Sequence, residues 1–88
     1  MTWSVEWDDR ARRELRKQDP GAQREILRYF RQRIAVDRDP RRLGKALSAD
    51  LRGLWRYRIR DYRAICQIED DRLVVLVLRV AHRKEVYR

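Results

Sequence analysis

The sequence is poor in the residues that crosslink small proteins covalently or through a metal. Cys66 is the single cysteine and His82 the single histidine. One cysteine excludes an internal disulfide, and together with one histidine it falls short of the usual four-ligand zinc site. We therefore expect neither a metal nor a cofactor.

Long apolar segments are also missing. No run approaches the roughly 20 residues that a membrane-spanning helix needs. The first eight residues do not have the charged-then-apolar pattern of a signal peptide. We therefore expect a cytoplasmic protein with no membrane partner.

The composition is that of a small, strongly basic globular protein. The chain has 88 residues, of which 43% are hydrophobic and 42% charged, and its net charge is +9. This length predicts one domain over residues 1–88, with a small core. The positive charge predicts a polyanionic partner, with nucleic acid first.

The first half of the chain has the pattern of one strand and two helices. Trp3, Val5 and Trp7 alternate with polar residues, which is typical of a strand with one buried face. Acidic cap signals precede the segments Arg10–Lys17 and Gly21–Val36, where apolar residues recur at helical spacing. Two helices with a short connection predict a helical hairpin packed on a sheet.

The second half has the pattern of strands. Gly44–Gly53 is expected to be a loop, and Trp55–Arg60 and Tyr62–Glu69 to be strands joined by a turn at Asp61. The continuous apolar run Leu73–Leu78 indicates a strand buried on both faces, and so central in its sheet. The order β-α-α-β-β-β predicts an α+β fold.

Three arginines at alternate positions of one strand are the clearest candidate site. Arg56, Arg58 and Arg60 would leave one face at intervals of about 6.6 Å, opposite a core face. An edge strand kept soluble by charge would give the same pattern. A purely structural face usually mixes charges, so three arginines without an acid favour an anion site. Arg63 opens the next strand and would lie close to Arg60.

Other polar residues gather at the end of the last strand. Arg79 is either part of this site or a structural arginine paired with an acid such as Glu69. His82 and Arg83 follow directly, and Tyr87 either contacts RNA or packs in the core. Cys66 and the three tryptophans are expected to be core residues.

Together these residue types suit the cleavage of RNA. The 2′-hydroxyl attacks the adjacent phosphate, which requires a base, an acid and positive charge on the phosphate. Arginine supplies the charge well but is a poor base, because it stays protonated. Histidine is the residue type that ordinarily exchanges protons near neutral pH, so His82 is the first candidate for proton transfer, with Glu85 and Tyr87 as others.

Four stretches of the chain are similar to motifs of one known family: Trp7–Leu15, Pro40–Leu47, Gly53–Arg63 and Val80–Tyr87. The first two resemble that family's opening strand with first helix and its loop after the helical hairpin. The last two, which are specific together, match its "lwRyRigdyR" segment and its "vgHRrevY" ending. By these motifs the chain resembles the RelE/ParE toxin superfamily of bacterial toxin–antitoxin modules.

The resemblance implies a small twisted antiparallel sheet with an N-terminal helical hairpin. RelE-like members cut mRNA in the ribosomal A site without a metal, and an antitoxin neutralises them. The family has lysines at the first two active-site positions in some members, where this chain has Arg56 and Arg58; this makes His82 the better candidate for proton transfer. The implied catalytic set is Arg56, Arg58, Arg63, His82, Arg83 and Tyr87, with Arg60, Lys84 and Arg88 as further RNA-binding residues.

The resemblance also implies the partners. They are the ribosome with its mRNA and a cognate antitoxin, with DNA bound only by the toxin–antitoxin complex. ParE-like members have the same fold but inhibit DNA gyrase, and they generally lack the catalytic set. A gyrase inhibitor is therefore the main alternative, and a non-enzymatic nucleic-acid-binding module is the third.

Overall fold

The computed structural model of the chain describes residues 2–47 and 53–85. Within these ranges one strand is followed by two helices and four more strands, as the α+β prediction requires. A π-helical turn, Phe30–Ile34, continues the second helix, and a 3-10 turn, Pro40–Leu43, precedes the second strand. The elements are β1 Ser4–Trp7, α1 Asp9–Arg16, α2 Pro20–Tyr29, β2 Lys45–Ala46, β3 Leu54–Ile59, β4 Tyr62–Glu69 and β5 Val74–His82.

The strands form one sheet in the order β1-β5-β4-β3-β2. The apolar strand β5 has a neighbour on each side, which confirms its predicted central place. The expected antiparallel pairing holds for β2, β3, β4 and β5, whereas the edge strand β1 runs parallel to β5. A tight turn makes two consecutive strands run in opposite directions. β1 is separated from the other strands along the chain by both helices, so no tight turn sets its direction.

Both helices begin where the sequence predicted. The Asp8 carboxylate accepts a hydrogen bond from the Arg10 N–H at 2.9 Å. The Asp19 carboxylate accepts one from the Ala22 N–H at 2.8 Å, and Pro20 occupies the first helical position. These bonds satisfy amide groups that have no partner inside a helix.

The core lies between the helices and one face of the sheet. Ile26, Phe30 and Ile34 form the buried stripe of α2 and its π-turn. Cys66 is buried, and Trp3 is only 5% exposed. The other two tryptophans are half-buried and pack against the same core, which confirms the core assignment for all three.

One strand was missed in the segment expected to be a loop. Lys45 and Ala46 form β2 and pair with Arg56 and Trp55 at the edge of the sheet. Two residues are too few for a period-two pattern to be recognisable. Residues 48–52 of that expected loop lie outside the described residues.

Candidate functional site

Three of the predicted arginines lie on the face of the sheet that carries no helix. Strand register places Arg58 directly opposite Arg63, and Arg63 in turn opposite Ala81 of β5. Arg56 lies two residues before Arg58 and therefore on the same face, since Tyr57 between them is fully buried in the core. The strand pairing thus brings Arg56, Arg58 and Arg63 together on one face of the sheet.

Arg83 joins these residues at the end of β5. Its N–H donates to the carbonyl oxygen of Asp61 in the β3–β4 turn, and its guanidinium lies 3.6 Å from the Asp61 carboxylate. Both contacts fix the residues after β5 beside the hairpin that carries Arg63. We call this group the arginine cluster; its members are Arg56, Arg58, Arg63 and Arg83.

The electrostatics of Arg63 reflect this crowding of like charges. Desolvation lowers the pKa of its guanidinium most, and the charges of Arg58, Arg56 and Arg83 lower it further, in that order. The Asp61 carboxylate acts in the opposite direction. Since the ordinary arginine pKa lies far above neutrality, the group stays protonated. The four neighbouring arginines therefore make this a region of concentrated positive charge.

Two backbone carbonyls orient Arg63. Its Nη1 donates to the carbonyl oxygens of Arg60 at 3.1 Å and Tyr62 at 3.0 Å. A carbonyl carries no net charge, so these two hydrogen bonds orient the guanidinium through neutral acceptors. Such an arrangement suits an arginine that must bind an anion in a defined geometry.

Arg60 does not continue the row that the sequence predicted. It occupies the β3–β4 turn in the left-handed region, with φ of 52°. The turn ends the strand alternation, and the Arg60 side chain forms an ion pair of 3.1 Å with Glu25 of α2. The expectation of three arginines on one strand face was therefore wrong for Arg60.

His82 lies on the other face of the sheet from most of the cluster. It is paired with Tyr62, and Tyr62 is paired with Ile59, so all three residues lie on the core face. The rings of His82 and Tyr62 meet edge to face, with their centroids 5.3 Å apart. Its Nδ1 accepts a hydrogen bond from the Lys84 N–H at 3.2 Å. That bond requires an unprotonated Nδ1, so it places the ring proton on Nε2.

The last predicted residues divide between described and undescribed parts of the chain. Lys84 and Glu85 are exposed just after β5. Tyr87 and Arg88, predicted to take part in catalysis and RNA binding, lie outside the described residues.

Arg79 has a structural contact, but with a different acid from the one suggested. Its Nε donates to Glu14 of α1 at 2.9 Å, and the other Glu14 oxygen accepts the Val80 N–H at 2.8 Å. Glu69 instead pairs with Arg72. Glu14 therefore ties α1 to the part of β5 that β1 no longer covers. Sequence reasoning missed this residue, because no local pattern announces a contact across 65 positions.

Two further features concern only the described part of the chain. None of its His, Cys, Asp and Glu side chains form a group of three or more able to hold a metal ion. None of its helices has the length and apolar character needed to cross a bilayer.

Comparisons with known proteins agree on one family. Residues 5–87 match the family described as the ParE toxin of the type II toxin–antitoxin system parDE. Toxin RelG of Mycobacterium tuberculosis is 33% identical over 88 residues, which is 100% of this chain and 99% of that protein.

Solved structures give the same answer. The fold matches a chain of the RelBE2 toxin–antitoxin complex of M. tuberculosis with a TM-score of 0.87 and 31% identity, over 94% of this chain and 100% of that one. The isolated E. coli RelE toxin matches with a TM-score of 0.71 over 91% of this chain and 83% of that one. Its identity of 21% makes that likeness one of fold.

The family match, the full-length relative and the shared fold thus define a toxin of a type II toxin–antitoxin system. The chain belongs to the RelE/ParE family of toxins of type II toxin–antitoxin systems.

Proposed function

We propose that this toxin is a ribosome-dependent endoribonuclease that cuts mRNA in the A site and so stops translation. The observation that carries the proposal is the arginine cluster, where partial burial and three like charges act on Arg63. Three arginines on one face of a small sheet, with Arg83 acting on Arg63 from the turn after β5, concentrate positive charge as a single crowded phosphate requires. The full-length similarity to RelG and the fold shared with RelE support the same branch.

In the proposed reaction the substrate supplies its own nucleophile. The 2′-oxygen forms a bond to phosphorus, the bond to the 5′-oxygen breaks, and the products are a 2′,3′-cyclic phosphate and a 5′-hydroxyl. A base accepts the proton of the 2′-hydroxyl and an acid donates one to the 5′-oxygen, and the candidates for these two roles are His82, Glu85 and Tyr87. Arg63, held by two carbonyls, and Arg83, held beside the same turn, are assigned to the phosphate, with Arg56 and Arg58 stabilising the growing charge.

Proton transfer by His82 stays a prediction, and the geometry sets a condition on it. With Nδ1 engaged by the Lys84 N–H, only Nε2 can face a substrate, and it carries the proton. In this arrangement the ring can donate a proton to the 5′-oxygen but cannot accept the proton of the 2′-hydroxyl. The ring would then act from the end of β5, on the opposite face of the sheet from Arg63. We expect His82→Gln to slow single-turnover cleavage far more than it weakens ribosome binding. Equal losses of rate and binding would remove His82 from proton transfer.

A cognate antitoxin is the second proposed partner. The family is defined by toxin–antitoxin pairs, and the M. tuberculosis relative was solved within one. An apolar recess of about 240 Å³ between the helices suits a partner helix, with Leu15 and Leu27 as floor and Arg12 and Arg16 beside it. Leu27 is 38% exposed there, and the arginines would favour an acidic segment.

Inhibition of DNA gyrase is the competing function, and one observation favours it. The family description that matches residues 5–87 names ParE rather than RelE. ParE-like toxins in the superfamily generally lack the catalytic set, whereas this chain has arginines at four of its positions. The two functions therefore separate on whether RNA is cut.

Primer extension on one mRNA tests the proposal. The purified toxin is incubated with that mRNA with and without programmed ribosomes. We expect cuts at A-site codons only in the presence of ribosomes. Cuts of equal strength on free RNA would contradict ribosome dependence. No cuts in either reaction, together with inhibition of gyrase supercoiling, would replace the ribonuclease with the ParE-type function.

A further inference from the structure

A second basic surface lies around the edge of the sheet from the arginine cluster. A groove of about 370 Å³ runs between α2 with its π-turn and the end of β3. Arg28 and Arg33 line it from the helical side, and Arg58 and Arg60 from the strand side. Arg28 and Arg33 are five residues apart, and the π-helical turn Phe30–Ile34, whose hydrogen bonds join residues five apart, lets both line the same groove.

The groove is open because the edge strand β2 is so short. β2 pairs with Trp55 and Arg56 and stops there, so it does not extend alongside Arg58. Arg58 itself belongs to both surfaces, because it faces Arg63 across the sheet and also lines the groove. The groove and the arginine cluster are therefore continuous at one residue.

The groove carries an excess of positive charge. Its single lining carboxylate, Glu25, forms the 3.1 Å ion pair with Arg60. Across the described residues, no carboxylate oxygen lies within 4.0 Å of Arg28, Arg33 or Arg58. Three arginines are thus available to an anionic partner.

RNA fits this groove better than a protein helix does. A helix that docks in a groove needs apolar side chains to pack against. The exposed large apolar residues of the described chain are Leu27 and Val36, and neither lines this groove. Leu27 instead lines the recess on the α1 side, where the antitoxin is placed. Tyr29 adds an aromatic side chain to the wall, and the other apolar lining residue, Ile59, is buried and offers little surface to a helix.

We propose that the groove binds the phosphates of the RNA segment adjoining the scissile phosphate, so that the RNA crosses the edge of β3 at Arg58. Arg28 and Arg33 are separated by about 7.5 Å along a helix axis, so each contacts a different phosphate. This inference rests on the proposed ribonuclease function and extends the substrate contact of the same site. It makes α2 part of the substrate-binding surface.

Binding of uncleavable RNA by matched double variants tests the groove. The probes are a long RNA of about 12 nucleotides and a short one of about 4, each with a 2′-deoxy substitution at the scissile position. R28A/R33A removes the two groove charges on the helical side, and R12A/R16A removes two arginines of α1. Thermal unfolding of both variants checks that they remain folded.

We expect R28A/R33A to weaken binding of the long RNA about tenfold and to lower its salt slope by about 1.4, at roughly 0.7 per phosphate contact. Binding of the short RNA should stay unchanged. R12A/R16A should leave both RNAs unaffected and weaken antitoxin binding. Equal losses in the two variants would overturn the groove, because they would show a general charge effect. Loss of antitoxin binding in R28A/R33A with RNA binding intact would overturn the RNA assignment.

The probe cannot be cut, so binding and cleavage fail separately. If wild-type toxin cuts no RNA but R28A/R33A still binds the long RNA more weakly than wild type, the groove is supported and the ribonuclease function is contradicted. If the toxin cuts mRNA but R28A/R33A binds the long RNA as tightly as wild type, the ribonuclease function is supported and the groove is contradicted.

Discussion

Tyr57 is the residue where the core and the loop before β2 are joined. Its ring is fully buried, and its hydroxyl donates to the Pro40 carbonyl at 2.6 Å. Burial is the largest reason why the pKa of this hydroxyl is raised, so it remains a donor through neutral and alkaline pH. The contact fixes the 3-10 turn against β3, the strand that carries Arg56 and Arg58.

We expect Tyr57→Phe to lower the free energy of unfolding by about 1–2 kcal/mol, because the Pro40 carbonyl loses its buried donor. Urea denaturation measures the change. Tyr29→Phe is the matched control, since no hydrogen bond joins its hydroxyl to another described residue. Equal effects of the two substitutions would contradict the assigned hydrogen bond.

The residue types at the site could be named from the sequence, but their arrangement could not. Alternation placed Arg56 and Arg58 on one face, because a strand fixes that geometry locally. The predicted hairpin placed Arg63 near Arg60, but the register that sets Arg63 opposite Arg58 was not predicted. The position of His82 across the sheet, and the Glu14 contact to Arg79 and Val80, depend on packing between distant segments.

At the scale of elements, the β3–β4 hairpin determines the site. It pairs Arg58 with Arg63, and its turn supplies the Arg60 carbonyl that Arg63 binds. The turn needs a left-handed residue, and here that residue is arginine rather than glycine. The energetic cost of this conformation falls on Arg60, whose side chain is anchored on α2.

We expect Arg60→Gly to be more stable than Arg60→Ala by about 1 kcal/mol, because only glycine adopts a positive φ without strain. Both variants lose the Glu25 ion pair, so their difference isolates the backbone effect. Thermal or urea unfolding measures it. At an ordinary strand position alanine would be the more stable variant, and that order here would contradict the turn geometry.

The elements themselves were predictable where a local rule fixed them. Aspartate caps marked the starts of both helices, and the apolar run marked the central strand. The parallel pairing of β1, the two-residue strand β2 and the change to a π-turn after Tyr29 were missed, because each is set by tertiary contacts rather than by periodicity.

At the scale of the whole molecule, ion pairs join segments that are distant along the chain. Arg41 of the 3-10 turn donates to Asp70 at the end of the β4–β5 hairpin, at 2.9 Å through Nη1. This hydrogen bond is the main reason why the pKa of the Asp70 carboxyl is lowered. Asp37 also has a lowered pKa, chiefly because its carboxylate accepts the Asp39 N–H.

These shifts predict how stability changes with acid. A carboxyl whose pKa is lower in the folded state stabilises the fold above its unfolded pKa, near 3.8 here, and loses that contribution as the pH falls further. We expect Asp70→Asn to flatten the decline of melting temperature between about pH 5 and pH 2. The same acid slope in wild type and variant would contradict the contribution of Asp70.

The central claim is that the arginine cluster is where RNA is cut. Its most direct test is the single-turnover cleavage rate of ribosome-bound mRNA by Arg63→Ala, with Arg13→Ala of α1 as a control of equal charge. We predict a loss of about 100-fold or more for Arg63→Ala and a near wild-type rate for Arg13→Ala, with both variants folded and ribosome-bound. Equal rates for the two variants would contradict the account, because the chemistry would then lie elsewhere on the molecule.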